Sequence, residues 1–161
     1  MMTVKTCPHC LSPAKSSYSA QDYNKRLTDE TFHYFTCTRC ALVFMDPPYE
    51  DKQDYRRVIA ALDEGLKRFA TGVYALWYPH LSRPESRQLP SRLKQLGADG
   101  WIHVALNVNG PAPAASGMGG SGMFVLNPPW GLRETLEQVM PCLADCLGQD
   151  GQANFVLEYH E

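Results

Sequence analysis

The sequence predicts an α/β fold in two parts, and two observations carry that prediction. Four cysteines form two Cys-x-x-Cys pairs within a polar N-terminal segment. From residue 46 onward, apolar runs typical of buried strands alternate with apolar stripes typical of helices. We therefore expect a zinc ribbon over residues 1–45, followed by part of a larger α/β domain over residues 46–161.

The elements of the second part follow from periodicity and from helix-breaking residues. A helical stripe of apolar residues fills residues 54–70 and ends in basic residues, as helices often do. The next apolar run should be a buried strand ended by Pro79, and Pro90 should weaken the helix that follows. The predicted strands are 42–46, 73–78, 101–108, 123–127 and 153–159, and the predicted helices lie near 54–70, 85–96 and 132–147.

Composition and charge limit the possible functions. The formal net charge is −2, and a zinc ion held by four thiolates would change it to about −4. Such a chain has no overall attraction for nucleic acid, so any contact must come from local clusters such as Arg83 to Lys94. No apolar run approaches the roughly 20 residues of a membrane helix, and no signal-like stretch precedes Cys7. We therefore expect a protein of the reducing cytoplasm, where paired cysteines favour metal over disulfide.

The cysteine spacing predicts one structural zinc ion. A Cys-x-x-Cys turn directs both sulfurs to one point, and two such turns complete a tetrahedron without an open position. The ligands would be Cys7, Cys10, Cys37 and Cys40. Two redox pairs or plain buried thiols are the alternatives that spacing leaves open.

An apolar strand pattern ends in Asp46-Pro47-Pro48-Tyr49. This resembles the arrangement that amino-methyltransferases use at the carboxyl end of a sheet strand, and the resemblance implies transfer to an amine. An adenine N6 amine is a poor nucleophile, because its lone pair is delocalised into the ring. Asp46 and the Pro47 carbonyl could accept hydrogen bonds from that amine, with Pro48 helping to fix the backbone. Tyr49 could stack on a base drawn out of its helix.

The tetrapeptide alone is weak support, because Pro-Pro after a strand is more often a simple turn. A second tetrapeptide, Asn127-Pro128-Pro129-Trp130, also follows an apolar strand pattern. Spacing alone cannot choose between the two.

Longer strings of sequence carry two resemblances. Cys-Pro-x-Cys, then Asp22-Tyr23-Asn24, then Cys-x-x-Cys-x-Leu-Val-Phe resembles the N-terminal zinc ribbon of certain class I methyltransferases, over residues 5–47. Residues 42–161 resemble the C-terminal half of the bacterial 23S rRNA adenine-N6 methyltransferase family. The strings that carry this second likeness are Asp-Pro-Pro-Tyr-Glu from 46, Lys-Arg-Phe-Ala-Thr-Gly-x-Tyr-Ala-Leu-Trp-Tyr-Pro from 67, and Ser-Gly-Met-x-Val-x-Asn-Pro-Pro-Trp from 121.

The second resemblance implies a function and a partial Rossmann-like sheet. It implies S-adenosylmethionine as methyl donor, 23S rRNA as substrate, and Asp46 as a catalytic residue that also borders the cofactor pocket. Family members carry, before this point, a strand with a glycine-rich turn that binds the cofactor. Here a zinc ribbon stands in that place, so we expect these residues alone to catalyse poorly.

Two rival interpretations remain at this stage. The chain could be a non-catalytic zinc-ribbon module that binds RNA or protein, or it could be completed by another chain. It could also associate with itself, because half a sheet should expose an apolar edge.

For the other reactive residues and glycines we predict structural roles or assign none. Cys142 and Cys146 lie four apart on a predicted helix face, which favours core packing over a redox or metal role. The glycines at 117, 119 and 122 precede a strand, so we expect a loop and no dinucleotide site. His9 lies within the first Cys-x-x-Cys pair but would be redundant as a fifth ligand, so we leave it out of the zinc site. The other four histidines have no spaced partner, and we assign them no chemistry: His33, His80, His103 and His160.

Overall fold

The computed structural model describes residues 5–6, 11–21, 31–37, 39, 43–45, 47, 49–110 and 117–160. This part contains strands β1 (Lys5–Thr6), β2 (Pro13–Gln21), β3 (Thr31–Cys37), β4 (Val43–Met45), β5 (Tyr74–His80), β6 (Trp101–Asn107), β7 (Gly120–Leu126) and β8 (Asn154–His160). Its helices are α1 (Lys52–Arg68), α2 (Pro84–Leu93) and α3 (Leu132–Leu147). The expected α/β fold is confirmed, and every predicted strand and helix of the second part is present.

The strands form one sheet in the order β1-β2-β3-β4-β5-β7-β6-β8. β4 and β5 pair in parallel, whereas β5, β7, β6 and β8 form an antiparallel four-strand unit. Because β5 and β6 are both antiparallel to β7, they run in the same direction, and β4 runs with them. The carboxyl ends of β4, β5 and β6 therefore lie at the same end of the sheet, and the Asp46 segment begins there.

The main core lies between one face of the sheet and helices α1 and α2. The α1 stripe buries Val58, Leu62 and Leu66 against the alternate residues of β5, and α2 adds its own leucines. This burial of apolar side chains is the largest favourable contribution to folding. α3 contacts β6 and β8 from the opposite face, where the Arg133 guanidinium lies 3.9 Å from the centroid of the Tyr159 ring.

Two details of the sheet differ from expectation. β5 does not end at Pro79 but continues to His80. Pro79 has no N–H to donate, and that position of β5 is paired only with β7, because β4 has already ended. β7 begins at Gly120, earlier than predicted, so Gly122 is a strand residue and not part of a loop.

The edge at β4 is covered. β4 pairs with β3 on one side and with β5 on the other, as expected for a strand shared by both parts of the chain. β4 itself is therefore not an outer strand of the sheet, and the predicted exposed apolar edge and self-association stay predictions. In the described residues, no helix is both long and apolar enough to cross a membrane.

Candidate active site

The Asp46 loop (residues 46–50) follows β4, at the end of the sheet where the carboxyl ends of β4, β5 and β6 lie. Asp46 and Pro48 lie outside the described residues, so their predicted roles are not tested by the geometry. Pro47 and Tyr49 are described, and both are buried. Pro47 and Tyr49 therefore pack the loop against the rest of the domain.

Tyr49 holds the loop through its side chain. Its backbone has φ +54°, a left-handed value that is unusual for a bulky residue. The Tyr49 hydroxyl donates a hydrogen bond to the Trp77 carbonyl at 3.0 Å, and its ring centroid lies 4.8 Å from that of Tyr55. Only 2% of Tyr49 is exposed. The predicted stacking on a base stays a prediction, and it would require the ring to leave this packing.

The exit of the loop is fixed by the start of α1. The Asp51 carboxylate accepts a hydrogen bond from the Gln53 N–H at 2.9 Å, and the Asp54 carboxylate accepts one from the Asp51 N–H at 3.0 Å. This reciprocal capping box satisfies two N–H groups that the first turn of a helix leaves unpaired. Asp54 is buried, and Arg57 Nη1 lies 3.2 Å from its other oxygen.

Arg83 connects the loop to the start of α2. Its guanidinium donates to the Glu50 carbonyl at 3.1 Å and to the Tyr49 carbonyl at 3.4 Å. Glu50, Arg83 and residues at both helix starts line an open depression of about 560 Å³. Sequence analysis grouped Arg83 with a local cluster of cations and missed this contact, which joins residues more than 30 positions apart.

The Asn127 loop (residues 127–131) lies at the opposite end of the strands, because β7 runs antiparallel to β5. The side-chain amide of Asn127, the first residue of this loop, uses both its donor and its acceptor groups in hydrogen bonds. The Asn127 amide donates to the Ala70 carbonyl at 2.6 Å and to the Gly72 carbonyl at 2.8 Å, and it accepts from the Asp99 N–H at 3.1 Å. Through Asn127 this tetrapeptide is hydrogen-bonded to two other loops, at the end of the strands opposite the Asp46 loop.

A chain of polar contacts crosses the sheet beneath α2 and was not predicted. His103 Nδ1 lies 2.9 Å from a Glu158 oxygen, and its Nε2 lies 2.7 Å from the Tyr78 hydroxyl. A neutral imidazole protonated at Nδ1 satisfies both contacts, because it donates to Glu158 and accepts from Tyr78. Gly122 makes room for the Tyr78 ring, since an added Cβ would lie 2.4 Å from it. Sequence spacing could not show this, because the partners come from separate strands.

Burial sets the charge state of this polar chain. Burial lowers the pKa of His103, against the opposing influence of its hydrogen bond to Glu158. The hydrogen bonds from His103 and Lys94 lower the pKa of the Glu158 carboxyl. Burial also raises the pKa of the Tyr78 hydroxyl far above its ordinary value. The arrangement is a neutral imidazole between the buried Tyr78 hydroxyl and the half-exposed Glu158 carboxylate, and we assign it a structural role.

The predicted packing of Cys142 and Cys146 is wrong. Both thiols are exposed on α3, and their sulfurs lie 3.9 Å apart. The helical spacing was correct, but this face of α3 turns away from the sheet.

The predicted zinc ligands cannot be compared with the geometry. Cys7, Cys10 and Cys40 lie outside the described residues, and Cys37 is described only as the last residue of β3, without its side chain. In the part of the chain that is described, no group of three or more histidine, cysteine, aspartate or glutamate side chains could hold a metal ion. The zinc prediction therefore remains a prediction.

Comparison with known proteins gives these features a family. Residues 29–159 match the family model described as ribosomal RNA large subunit methyltransferase D, RlmJ. A protein of Haemophilus influenzae named ribosomal RNA large subunit methyltransferase J is 40% identical over 121 residues, which cover 75% of this chain and 43% of that protein. The Escherichia coli protein of the same name is 42% identical over 106 residues, covering 66% of this chain and 38% of that protein.

A solved structure agrees with the fold. The crystal structure of protein LPL1258 from Legionella pneumophila has a TM-score of 0.65 and 26% sequence identity, covering 73% of this chain and 42% of that one. The chain thus spans about two fifths of the length of the relatives it matches. On the family match and the identity to both curated relatives, the chain belongs to the RlmJ family of ribosomal RNA large subunit methyltransferases.

Proposed function

We propose that this chain carries the methyl-acceptor side of an S-adenosylmethionine-dependent adenine-N6 methyltransferase that acts on 23S rRNA. The observation that carries the proposal is the position of the Asp46 loop, at the carboxyl ends of β4, β5 and β6 in a chain of the RlmJ family. Asp46 and the Pro47 carbonyl would accept hydrogen bonds from the N6 amine and direct its lone pair outward. Pro48 would keep that carbonyl in a fixed orientation.

The methyl donor needs residues beyond those described. The glycine-rich turn that holds such a cofactor follows a strand and opens a helix. In the described part, the turn that comes nearest lies between β7 and α3, where a single glycine, Gly131, precedes the helix. Asp46 alone would border the pocket, so the described residues do not fit S-adenosylmethionine by themselves. We therefore propose that the 161 residues alone bind the donor weakly and transfer methyl groups poorly.

Exposed cations near the Asp46 loop suit an RNA partner. Lys52 and Arg56 are exposed on α1, and Arg87 and Arg92 are exposed on α2, which packs beside α1. Both helices begin at the depression next to the loop. Phosphate contacts from such a local group can bind RNA although the whole chain is slightly acidic.

A methyl-transfer assay on unmodified 23S rRNA tests the proposal. Tritiated-methyl incorporation should be weak with this chain alone and should rise when the amino-terminal half of a full-length family member is added. Asp46→Ala should abolish the restored transfer while leaving the melting temperature nearly unchanged, and Gln138→Ala, at an exposed position of α3, should serve as a surface control. Turnover by this chain alone near that of a full-length relative would show that the donor side is not missing.

The non-catalytic alternative makes a different prediction in the same assay. A module that only binds RNA would retain salt-sensitive RNA binding but would show no transfer when the amino-terminal half is supplied. Asp46→Ala would then change neither binding nor transfer.

We also propose that residues 1–45 are a zinc ribbon attached to the methyltransferase-like part at 46–161. The described strands support this, because the start of β2 pairs with the ends of both neighbours, Thr6 with Pro13 and Ala14 with Cys37. The connections that carry the two Cys-x-x-Cys pairs therefore leave the same end of adjacent strands. That placement suits four thiolates around one Zn²⁺.

Elemental analysis tests the ribbon. Protein purified without chelator should contain close to one zinc per chain, and Cys37→Ser should lower the zinc content and unfold the N-terminal strands, because closed sites contribute folding energy. Cys142→Ser is the matched control, since that thiol lies on the exposed face of α3. Absence of zinc in the unmodified protein would exclude the ribbon.

A further inference from the structure

We propose that β8 is a self-association edge, along which the β8 strands of two copies of this chain pair antiparallel about a two-fold axis at Leu157. The inference rests on the unpaired backbone of β8, on the order of its side chains and on the position of α3. It does not depend on methyl transfer, so the two can fail separately.

The outer side of β8 carries backbone groups that need a partner. Among the described residues β8 pairs only with β6, so every second residue along Asn154–His160 directs its N–H and C=O away from the sheet. Outer strands are usually protected by charged side chains such as lysine or by proline, but β8 contains no Lys, Arg or Pro. Its exposed side chains include Phe155 at 36%, Val156 at 38% and Tyr159 at 41%. Such an edge can accept a further strand.

The order of side chains along β8 is complementary to itself. In a two-fold pair, residue i of one copy contacts residue j of the other, and j contacts i. Full overlap of the seven residues of β8 places the axis at Leu157. Phe155 then faces Tyr159 of the second copy, and Tyr159 faces Phe155. Aromatic pairs directly across two strands are favourable, and the two central leucines join them into one apolar row.

The opposite face of the pair is mainly polar and leaves no charge unpaired. In the same register, Asn154 faces His160, and Val156 faces Glu158. The Glu158 carboxylate already lies 2.9 Å from Lys94 Nζ of its own chain. The approach of Val156 therefore does not deprive a carboxylate of its partner, which would be costly at an interface.

Helix α3 lies where a second copy of it can also pack. It contacts β6 and β8 on the sheet face that carries Tyr159. Neighbouring strands are about 4.8 Å apart, so the two α3 axes would lie about 10 Å apart across the two-fold axis, close to the distance at which helices pack. α3 also exposes apolar side chains at a four-residue spacing that a neighbour can cover, namely Val139, Leu143 and Leu147.

The strand order favours a second copy over the N-terminal strands as the partner of β8. The segment that precedes β4 in sequence joins the sheet beside β4, and β8 lies four strands away from β4. The described N-terminal strands therefore do not reach this edge. A second copy brings the same unpaired strand, whose side chains match in the register described above.

Charged double variants test both the surface and the register. Phe155→Lys with Tyr159→Lys places lysines opposite each other in the pair, and Phe155→Glu with Tyr159→Glu places glutamates there. Sedimentation equilibrium from about 1 to about 200 μM should give twice 18.0 kDa for the unmodified chain at the upper concentration. Each double variant should raise the dissociation constant by at least about 100-fold, because like charges that face each other are strongly unfavourable. An equimolar mixture of the two should regain the dimer mass, since each lysine then faces a glutamate.

Phe69→Lys is the matched control, since it also replaces an exposed apolar ring by a charge but lies at the end of α1. It should associate like the unmodified chain. Amide hydrogen exchange of the unmodified chain gives a readout that does not depend on the folding of a variant. Exchange along β8 should be at least about fivefold slower at the upper concentration than at the lower one, because pairing protects its outer amides.

Three results in the mass measurements would overturn the proposal. They are a monomer mass for the unmodified chain at every concentration, homodimers of either double variant, and a mixture of the two that stays monomeric. Protection of β8 that requires the amino-terminal half of a full-length relative would assign the edge to that half and would overturn the proposal as well.

Discussion

The Asp46 loop and the Asn127 loop share a sequence pattern but are anchored in opposite ways. In the Asp46 loop, the aromatic residue is the anchor, since Tyr49 is buried and bonded to β5. In the Asn127 loop, the polar residue is the anchor, and Trp130 is fully exposed at 101%. The pattern of a polar residue, two prolines and an aromatic ring therefore does not fix which end is held.

The difference teaches how such a loop can support chemistry. Two prolines stiffen the backbone, so one anchored end is enough to hold the whole tetrapeptide. Where the aromatic end is anchored, the polar residue is not needed for attachment and can serve a substrate. Where the polar end is anchored, all its hydrogen-bonding groups are used, and the site is structural. This difference is consistent with the proposed chemistry of the Asp46 loop and with a purely structural role of the Asn127 loop.

The largest expected effect comes from exchanging each aromatic residue for alanine. Tyr49→Ala should lower the free energy of unfolding by about 3–5 kcal/mol, the usual cost of deleting a buried aromatic ring. Trp130→Ala should change it by less than about 0.5 kcal/mol, because the ring has no buried surface to lose. Urea denaturation of the two variants measures both values, and similar losses in the two would contradict the comparison.

Asn127→Ala should have the next largest effect, about 2–3 kcal/mol, because three hydrogen bonds between loops are lost at once. Asn127→Asp should be no more stable, since a carboxylate keeps the bond from the Asp99 N–H but cannot donate to Ala70 or Gly72. Thermal unfolding gives the comparison. The backbone of Asn127 has φ +49°. Full stability in Asn127→Gly would therefore show that the position needs a left-handed backbone and not an amide.

Sequence reasoning was most successful where one local pattern decides the structure. The apolar stripe of α1 was enough to predict that helix, because burial of a single face sets the period, and the apolar run at 123–127 was enough to predict most of β7. Element ends were less predictable. β5 continued through Pro79 because the end of β4, an element distant in sequence, removed the need for an N–H there.

The site was predictable only in part, and the reason is again distance along the chain. The Asp46 segment could be recognised from its own residues. Its anchoring could not, since Tyr49 reaches a carbonyl 28 residues away and Arg83 reaches back by 33 or 34. The exposure of Cys142 and Cys146 was missed for a related reason. Helical spacing shows that two residues share a face, but only tertiary packing decides where that face points.

The smallest expected effect is a pH dependence that originates between the two loops. Neither anchor depends on the imidazole of His103, so the comparison predicts that mild acid weakens the middle of the sheet and leaves the Asn127 contacts intact. Burial lowers the pKa of His103 below its ordinary value of 6.5. The titratable groups near it are Tyr78, His80, Lys94 and Glu158.

The sign follows from proton binding. Between the lowered pKa and 6.5, the unfolded chain takes up a proton at this histidine that the folded chain does not, so stability falls as pH falls through 6.5. Glu158 adds a loss only below about its ordinary value of 4.5, because its pKa is also lowered in the folded state. Melting temperatures at pH 7.5 and 5.5 therefore separate the contribution of histidines from that of Glu158, and the variants below identify the histidine. His103→Gln keeps a donor and an acceptor but cannot titrate, and it should reduce the acid-induced fall in melting temperature by about 2–4 °C, the shift that 1 kcal/mol produces in a chain of this size. His160→Gln, two positions along β8 from Glu158, should leave the fall unchanged, and so should Asn127→Ala. An undiminished fall in His103→Gln would mean that the acid sensitivity arises at another group.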